Sequence, residues 1–225
     1  MKEKTADAKA KKSPRFAWKY FVYDFVWIGG ALPGLIWFRP KIIREGSRSR
    51  EALRGGALLV SNHIGFFDPI YLMFGVPTRR HHFICSKELG EHRIGPWLRR
   101  CLCIPIDREN FTADSFREIT SHLSAGELVT MFPEGRINTD GGEGGVAAFK
   151  SGMILMALRA RTPIIPVYLR PKTHWWQRLV VVIGEPFDVA ERCGARPTFS
   201  QIDAAAEELH RKEEELSTLI ESSEK

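Results

Sequence analysis

Cysteine is scarce in this 225-residue sequence, and its spacing excludes the usual cysteine-built sites. The four cysteines form no CxxC pair and no paired spacing that is typical of a structural zinc site (Cys85, Cys101, Cys103 and Cys193). We also expect no cleavable signal peptide. We therefore expect reduced, structural thiols in a reducing compartment, with a metal or disulfide role as the alternative.

Repeats and strongly biased segments are also missing, apart from a Lys-rich leader over residues 1–15. Apolar residues make up 44% of the chain and charged residues 27%, a balance that excludes a disordered or fibrous protein. The formal net charge of +6 favours an anionic partner. Charge alone leaves nucleic acid, a phosphate-bearing substrate and acidic lipid as alternatives.

The longest apolar run, residues 16–38, narrows the choice of partner. Its length suffices to cross a bilayer, but Lys19 and Asp24 lie inside it and basic residues flank both ends. Glycine and proline also interrupt it. These features favour a membrane-embedded hairpin or a pair of short interfacial helices, with a single transmembrane helix and a buried helix pair as alternatives. The aromatic residues of the run are typical of lipid headgroup depth, so a membrane is favoured over nucleic acid.

From residue 57 onward, short apolar runs alternate with amphipathic stretches, which is typical of an α/β domain. The apolar runs predict strands over residues 57–60, 81–85, 101–106, 128–132, 164–169 and 179–183. The amphipathic stretches predict helices over residues 69–74, 114–123, 149–161 and 200–220. We expect two regions: a basic leader with a membrane-embedded or interfacial helical segment (1–40), and an α/β domain (41–225).

One loop brings a histidine and an aspartate close together in sequence. In "SNHIGFFDP" (61–69), His63 follows a predicted strand and Asp68 precedes Pro69 at a helix start, where we expect it to be the N-cap. A spacing of five suits a bend in which the carboxylate meets the imidazole and leaves the other ring nitrogen free to accept a proton. The alternative is a loop histidine beside an ordinary helix cap.

Two further segments carry arginine directly after predicted strands. "FPEGRIN" (132–138) makes a sharp turn that presents backbone amides and Arg136, and "IPIDREN" (104–110) ends a strand with Asp107 and Arg108. In open α/β sheets, sites lie beyond the carboxyl ends of the strands, and a guanidinium beside free amides suits a phosphate. The alternatives are a surface turn and a solvated Asp-Arg ion pair.

Three other features are less specific. His81 and His82 with Cys85 could suggest a metal cluster, but alternation on a strand places the two histidines on opposite faces, so we expect no metal site. The two prolines of "TPIIPVYLR" favour a strand near a sheet edge. Trp175 and Trp176 follow that strand and either contact headgroups or form a packed turn.

The order of four segments resembles the glycerolipid acyltransferases, most closely the bacterial 1-acyl-sn-glycerol-3-phosphate (lysophosphatidic acid) acyltransferases. The segments are HxxxxD over residues 63–68, a strand that ends in Asp-Arg, FPEG over residues 132–135, and the proline-containing strand. The connecting stretches 86–100 and 149–158 are also similar to family segments. The resemblance extends roughly over residues 40–185.

The resemblance implies a mixed, largely parallel sheet flanked by helices, with a membrane-associated helical segment at the N-terminus. It also implies an enzyme that transfers an acyl chain from acyl-CoA or acyl carrier protein to the sn-2 hydroxyl of 1-acylglycerol-3-phosphate, giving phosphatidic acid. His63 would be the general base and Asp68 its orienting partner. The acceptor phosphate would be bound by Arg108, Glu134, Gly135 and Arg136.

The chemistry fits these residues, because a lipid hydroxyl needs its proton removed and a thiolate leaves without a metal or a bound cofactor. We expect membrane lipid, lysophosphatidic acid and the acyl donor as partners, and no nucleic acid. The expected location is the cytoplasmic face of the cytoplasmic membrane, as a monotopic or single-pass protein. The alternatives are an acyltransferase for another lysophospholipid or lipid hydroxyl, and a non-catalytic lipid-binding membrane protein.

Overall fold

The computed structural model describes residues 18–77, 79–107, 111–133, 152–172, 174, 176–194 and 196–224. The strands in this part of the chain are β1 (Lys41–Arg44), β2 (Ala57–Ser61), β3 (His81–Ser86), β4 (Ile104–Ile106), β5 (Leu128–Met131), β6 (Ile164–Leu169) and β7 (Val180–Ile183). The helices are α1 (Phe21–Phe38), α2 (Arg48–Ala52), α3 (Asp68–Gly75), α4 (Lys87–Glu91), α5 (Gly95–Arg100), α6 (Ala113–Ser124), α7 (Gly152–Ala160), α8 (Val189–Cys193) and α9 (Phe199–Glu224). A 3₁₀ turn, Trp18–Tyr20, precedes α1.

The strands form one sheet in the order β1-β7-β6-β2-β5-β3-β4. All neighbouring pairs are parallel except β6 and β7, which are antiparallel. The predicted mixed, largely parallel sheet is therefore confirmed. Since β7 and β1 run opposite to the others, the beginnings of these two strands lie at the edge where β2, β5 and β6 end.

The central strands are buried on both faces because helices cover the sheet from two sides. On β2, Leu58 and Val60 pack in a core with α6, α7 and α9, whereas Ala57 and Leu59 pack in a second core with α3. All four side chains are fully buried. This two-sided burial explains why the strands are continuous apolar runs rather than alternating ones.

The strand predicted over residues 101–106 is shorter in the structure. Cys101 caps the end of α5, and Leu102 adopts a left-handed conformation with a φ of 67°. The Cys103 N–H then donates to the Leu98 carbonyl, which closes the helix before β4 begins. Cys101 and Cys103 therefore do not lie on one strand, and none of the four cysteines, all of which are described, forms a disulfide. The short edge strand β1 was not predicted from the sequence.

The proline-containing strand β6 lies between β7 and β2, so the predicted position near an edge is wrong. Pro166 lies opposite Gly184, one residue past the end of β7, and the Gly184 N–H donates to the Pro166 carbonyl at 2.9 Å. The hydrogen bond that proline cannot donate is therefore missing where the β6–β7 ladder is interrupted, before an isolated bridge between Ile164 and Phe187. An interior strand tolerates proline there.

The hairpin or helix pair expected over residues 16–38 is also wrong, because residues 21–38 form one helix with Pro33 inside it. The rings of Trp27 and Phe38, on either side of the proline, lie 5.1 and 5.3 Å from the ring of Phe74 on α3. A Cβ on Gly34 would lie 2.0 Å from the Phe74 ring, so this close approach requires glycine. α3 therefore contacts α1 on both sides of the proline.

The charged residues of the apolar run face the α/β domain. The Arg80 guanidinium donates to both carboxylate oxygens of Asp24, at 2.7 and 2.8 Å. Lys19 and Tyr20 donate to Glu127 at 3.1 and 2.6 Å. These contacts bind the start of α1 to the domain.

The opposite face of α1 is apolar and open, as shown by residues that are 68–74% exposed (Phe25, Ile28, Leu32 and Ile36). By length and composition, Trp18–Phe38 is the one helix of the described residues that could cross a membrane. The division of the chain at residue 40 stays a prediction.

Candidate active site

The predicted catalytic residues lie where β2 ends. The strand stops at Ser61, and His63 follows in the loop before α3. Because β5 and β6 run parallel to β2, their carboxyl ends lie at the same edge of the sheet. This is the edge at which open α/β sheets bind ligands.

His63 and Asp68 form the contact that their spacing predicts. The His63 Nδ1 lies 2.7 Å from Asp68 Oδ2, and the same oxygen accepts the N–H groups of Ile64 and Gly65 at 2.6 and 2.8 Å. The Asp68 side chain is fully buried, whereas the His63 side chain is 15% exposed. The carboxylate therefore fixes the ring and the backbone of its own loop, while the ring stays accessible.

The sequence predicted that Asp68 is the N-cap of α3, and this prediction is wrong. The N-cap is Phe67, and Asp68 is the first residue of the helix, where its side chain turns back toward the loop. The reason is competition among hydrogen-bond donors, since the loop offers the carboxylate two N–H groups and an imidazole. A backbone that bends between residues 63 and 68 satisfies all three.

Sequence reasoning missed Asn62, which holds the site to the neighbouring strand. Its buried side-chain amide donates to the Leu169 carbonyl at 2.9 Å and accepts the Leu169 N–H at 2.8 Å. This pair of bonds continues the β2–β6 ladder beyond β2. The position of His63 relative to β6 is fixed as a result. No local signal reveals this role, because the partner is 107 residues away.

Phe132 is a second residue whose role sequence reasoning missed. Its ring stacks on the His63 imidazole, with 4.3 Å between the ring centroids and 19° between the planes. Phe132 follows β5, so the FPEG segment starts beside the imidazole. The motif had drawn attention to Arg136, and not to the phenylalanine.

The predicted phosphate-binding residues lie outside the described residues: Arg108, Glu134, Gly135 and Arg136. Their neighbours are described. The strand β4 ends at Ile106 and β5 at Met131, at the same edge of the sheet as His63. Asp107 forms an ion pair with Lys87, at 3.6 Å. Phosphate binding by the four residues stays a prediction.

The two adjacent histidines lie on opposite faces of β3, as predicted. The His81 Nδ1 lies 2.9 Å from Thr130 Oγ1, whereas the His82 Nε2 lies 3.3 Å from a Glu127 oxygen. Burial lowers the pKa of each histidine to about 4, so both are neutral at neutral pH. Neither belongs to the candidate active site.

A group of ligand atoms lies at the other edge of the sheet, where His82, His122 and Glu127 place them within 4.8 Å of one another. This spacing would suit a metal ion, but the Glu127 carboxylate already accepts hydrogen bonds from Lys19 and Tyr20. Burial opposes its ionisation, yet hydrogen bonds from His122 and Tyr20 hold the pKa of Glu127 well below its usual range. The cluster attaches the N-terminal helix.

Comparison with known proteins decides the family. The acyltransferase family model matches residues 41–170, which include His63, Asp68 and the FPEG segment. The chain belongs to the acyltransferase family. The match covers more than half of the chain and includes the central strands β2, β5 and β6.

Two bacterial relatives are named 1-acyl-sn-glycerol-3-phosphate acyltransferase. The Streptococcus pneumoniae protein is 32% identical over 141 residues, which cover 60% of this chain and 51% of that protein. The Bacillus subtilis protein is 26% identical over 167 residues, which cover 72% of this chain and 81% of that protein. The chain thus spans about half the length of the pneumococcal member of this acyltransferase family.

The fold of this acyltransferase is similar to that of a solved structure. The crystal structure of the 1-acyl-sn-glycerophosphate acyltransferase from Thermotoga maritima superposes with a TM-score of 0.61 and 22% sequence identity. The match covers 89% of this chain and 80% of that chain. It confirms the predicted fold class.

Proposed function

We propose that this acyltransferase moves an acyl chain from a thioester to the sn-2 hydroxyl of 1-acylglycerol-3-phosphate, giving phosphatidic acid. The observation that carries the proposal is the His63–Asp68 pair at the carboxyl edge of β2. The names of the two bacterial relatives support the acceptor. Acyl-CoA and acyl carrier protein are the proposed donors.

His63 acts as the general base in this proposal. Its Nδ1 donates to Asp68, so Nε2 is the nitrogen that accepts a proton from the lipid hydroxyl. The hydroxyl oxygen then forms a bond to the thioester carbonyl carbon and the C–S bond breaks. The proton on His63 passes to the departing thiolate, which leaves as a thiol. The buried Asp68 carboxylate stabilises the imidazolium between these two transfers.

The acceptor is positioned by its phosphate. Arg108, Glu134, Gly135 and Arg136 are proposed to form the phosphate site, since they follow two strands that end at the same edge as β2. Holding the phosphate would place the hydroxyl near His63 before the reaction, and such positioning contributes much of an enzyme's rate.

Membrane association through α1 completes the proposal. Its open face carries phenylalanine, isoleucine and leucine, while Asp24 of α1 and Lys19 of the preceding turn pair with the domain. A helix with one apolar face open and the other bound to protein suits burial in one leaflet of the bilayer. The exposed Phe66 and Phe67, between the two catalytic residues in sequence, support an active site that opens toward the same lipid. The proposed location is the cytoplasmic face of the cytoplasmic membrane.

The experiment that tests the proposal is thiol release from an acyl thioester by purified full-length protein. With lysophosphatidate as acceptor, His63→Ala should lower the rate by about 10²–10⁴-fold. His210→Ala is the matched control, since this histidine lies on α9, and it should keep the wild-type rate. Equal thiol release by wild type and His63→Ala would overturn the catalytic assignment. Faster release with lysolipids of other headgroups would overturn the acceptor.

A further inference from the structure

The surface around the C-terminal end of α1 is rich in cations. The segments "WFRPK" (37–41) and "LRPKTHWWQR" (169–178) contain five lysines and arginines and no acidic residue. The structure brings the two segments together, because the Leu179 N–H donates to the Phe38 carbonyl at 2.9 Å. Positive charge from two distant parts of the chain is thus concentrated at one place.

Hydrogen bonds fix two arginines of this surface, Arg39 and Arg178. The Arg39 guanidinium donates to the Trp176 carbonyl, and Arg178 Nε donates to the Arg39 carbonyl at 3.0 Å. Arg39 also ends α1 in the left-handed conformation, with a φ of 44° and a ψ of 57°. Glycine adopts this conformation without steric cost, so a long cationic side chain at this position indicates a use for the charge.

Lys172 is a third cation of this surface, and it lies over two aromatic rings. Its Nζ lies 5.7 Å from the centroid of the Phe38 ring and 5.9 Å from that of Tyr71. Burial and the charge of Arg39 lower the pKa of Lys172 from its usual value. Lys172 and Arg39 therefore both add positive charge to this surface, which favours an anionic partner.

Aromatic side chains accompany the cations. Trp176 is 54% exposed and stacks on His174, with 4.5 Å between centroids and 4° between planes. Trp37, at the end of α1, is 57% exposed. Tryptophan beside arginine and lysine is typical of lipid headgroup depth.

The surface lies at the catalytic edge of the sheet. Lys172 follows β6, which is bonded to Asn62 next to His63, and Tyr71 lies one helical turn after Asp68 on α3. The open apolar face of α1 leads up to Arg39. An anion bound here would therefore lie beside both the membrane helix and the catalytic pair.

We propose that Arg39, Lys172, Arg178 and Trp176 form a headgroup patch that binds the phosphates of anionic phospholipids in the bilayer surface. This inference rests on the proposed membrane attachment through α1. It adds charge selectivity to that attachment and turns the edge that carries His63 toward the lipid surface. The bilayer is the committed partner because its phosphates match the cations and its headgroup layer suits the tryptophan.

Vesicle binding by the full chain tests the patch without any acyl donor. Partitioning is measured on phosphatidylcholine vesicles and on vesicles with about one third phosphatidylglycerol. Wild type should bind the anionic vesicles more tightly, and the difference should shrink as salt is added. Each basic residue near an anionic surface contributes about fivefold in binding, so Arg39→Gln/Lys172→Gln/Arg178→Gln should lose on the order of 10²-fold.

The matched control is Arg117→Gln/Arg159→Gln/Arg211→Gln, which removes the same charge from exposed residues of α6, α7 and α9. These helices cover the face of the sheet opposite to α3, so this variant should bind anionic vesicles almost as wild type does. An equal loss in both triple variants would overturn the patch, because net charge would then explain the binding.

Two further outcomes would also overturn the patch. One is equal binding of wild type to the two kinds of vesicle, and the other is a loss in the patch variant that is the same on both kinds. Failure of the membrane attachment itself looks different, since wild type would then bind neither kind. Lys172→Gln alone, which leaves the backbone contacts of both arginines intact, should still lose about fivefold on anionic vesicles only.

Discussion

Gly65 offers a sharp test of how the Asp68 carboxylate is held. Asp68 Oδ2 accepts three hydrogen bonds, whereas the buried Oδ1 has no hydrogen-bond partner among the described residues. A Cβ at Gly65 would lie 3.9 Å from this Oδ1, which is an ordinary contact distance. A serine hydroxyl at this position would therefore reach the oxygen without displacing its surroundings.

The expected gain from Gly65→Ser can be estimated from this geometry. A hydrogen bond to a charged group contributes about 1.5–3 kcal/mol, and ordering a small side chain offsets part of it, which leaves about 1–2 kcal/mol. For a chain of this length, each kcal/mol corresponds to about 2–4 °C in Tm. Thermal unfolding of purified protein in detergent is the assay.

Gly65→Ala is the matched control, since alanine supplies the Cβ and the loss of unfolded-state freedom but no hydroxyl. Serine should therefore unfold about 2–8 °C above alanine. In an Asp68→Ala background, the difference in Tm between serine and alanine should disappear, because the acceptor of the serine hydroxyl is gone. Equal Tm values for serine and alanine in the wild-type background would refute the reasoning.

Three further predictions concern the stacked ring, the phosphate and acid stability. Phe132→Leu should lower kcat about 2- to 10-fold with little change in KM, because it removes a ring stack of about 0.5–1.5 kcal/mol on His63, and Phe132→Tyr should restore the rate. Arg136→Ala should raise KM for lysophosphatidate by tenfold or more without raising KM for the thioester, and an equal rise in both would contradict a phosphate role. The pKa of His81 is lowered to about 4 in the folded protein, against about 6.5 in the unfolded chain. The unfolded chain therefore binds a proton that the folded protein does not, so the free energy of unfolding falls as pH falls from 6.5 toward 4. Tm should fall less over this range in His81→Gln, and parallel curves would exclude His81 as a source of the acid sensitivity.

Local patterns predicted the strands well because both faces of the sheet are covered. The run 164–169 coincides with β6, and 57–60 differs from β2 by one residue. The order of strands is not a local property, however. Pro166 suggested that β6 is an edge strand. The proline is tolerated inside the sheet because it lies opposite the end of β7, which is distant in sequence.

The contact between His63 and Asp68 was predictable from the sequence, and the contacts that support it were not. A spacing of five between His63 and Asp68 is itself a local signal, because the intervening loop is short enough to fold back. The roles of Asn62 and Phe132 depend on partners that are distant in sequence. For the same reason, nothing in the sequence around Glu127 indicated that it binds the turn that precedes α1.

The junction between α1 and β1 consists of two residues, Arg39 and Pro40. The backbone of the first is bonded to Leu35 and the ring of the second fixes its own φ, so this joint has little freedom to swivel. Helix and sheet therefore tilt as one body. In the proposed membrane attachment, a change in bilayer thickness that tilts α1 would also tilt the edge of the sheet that carries His63, so the proposed acyl transfer would depend on the mechanics of the surrounding lipid.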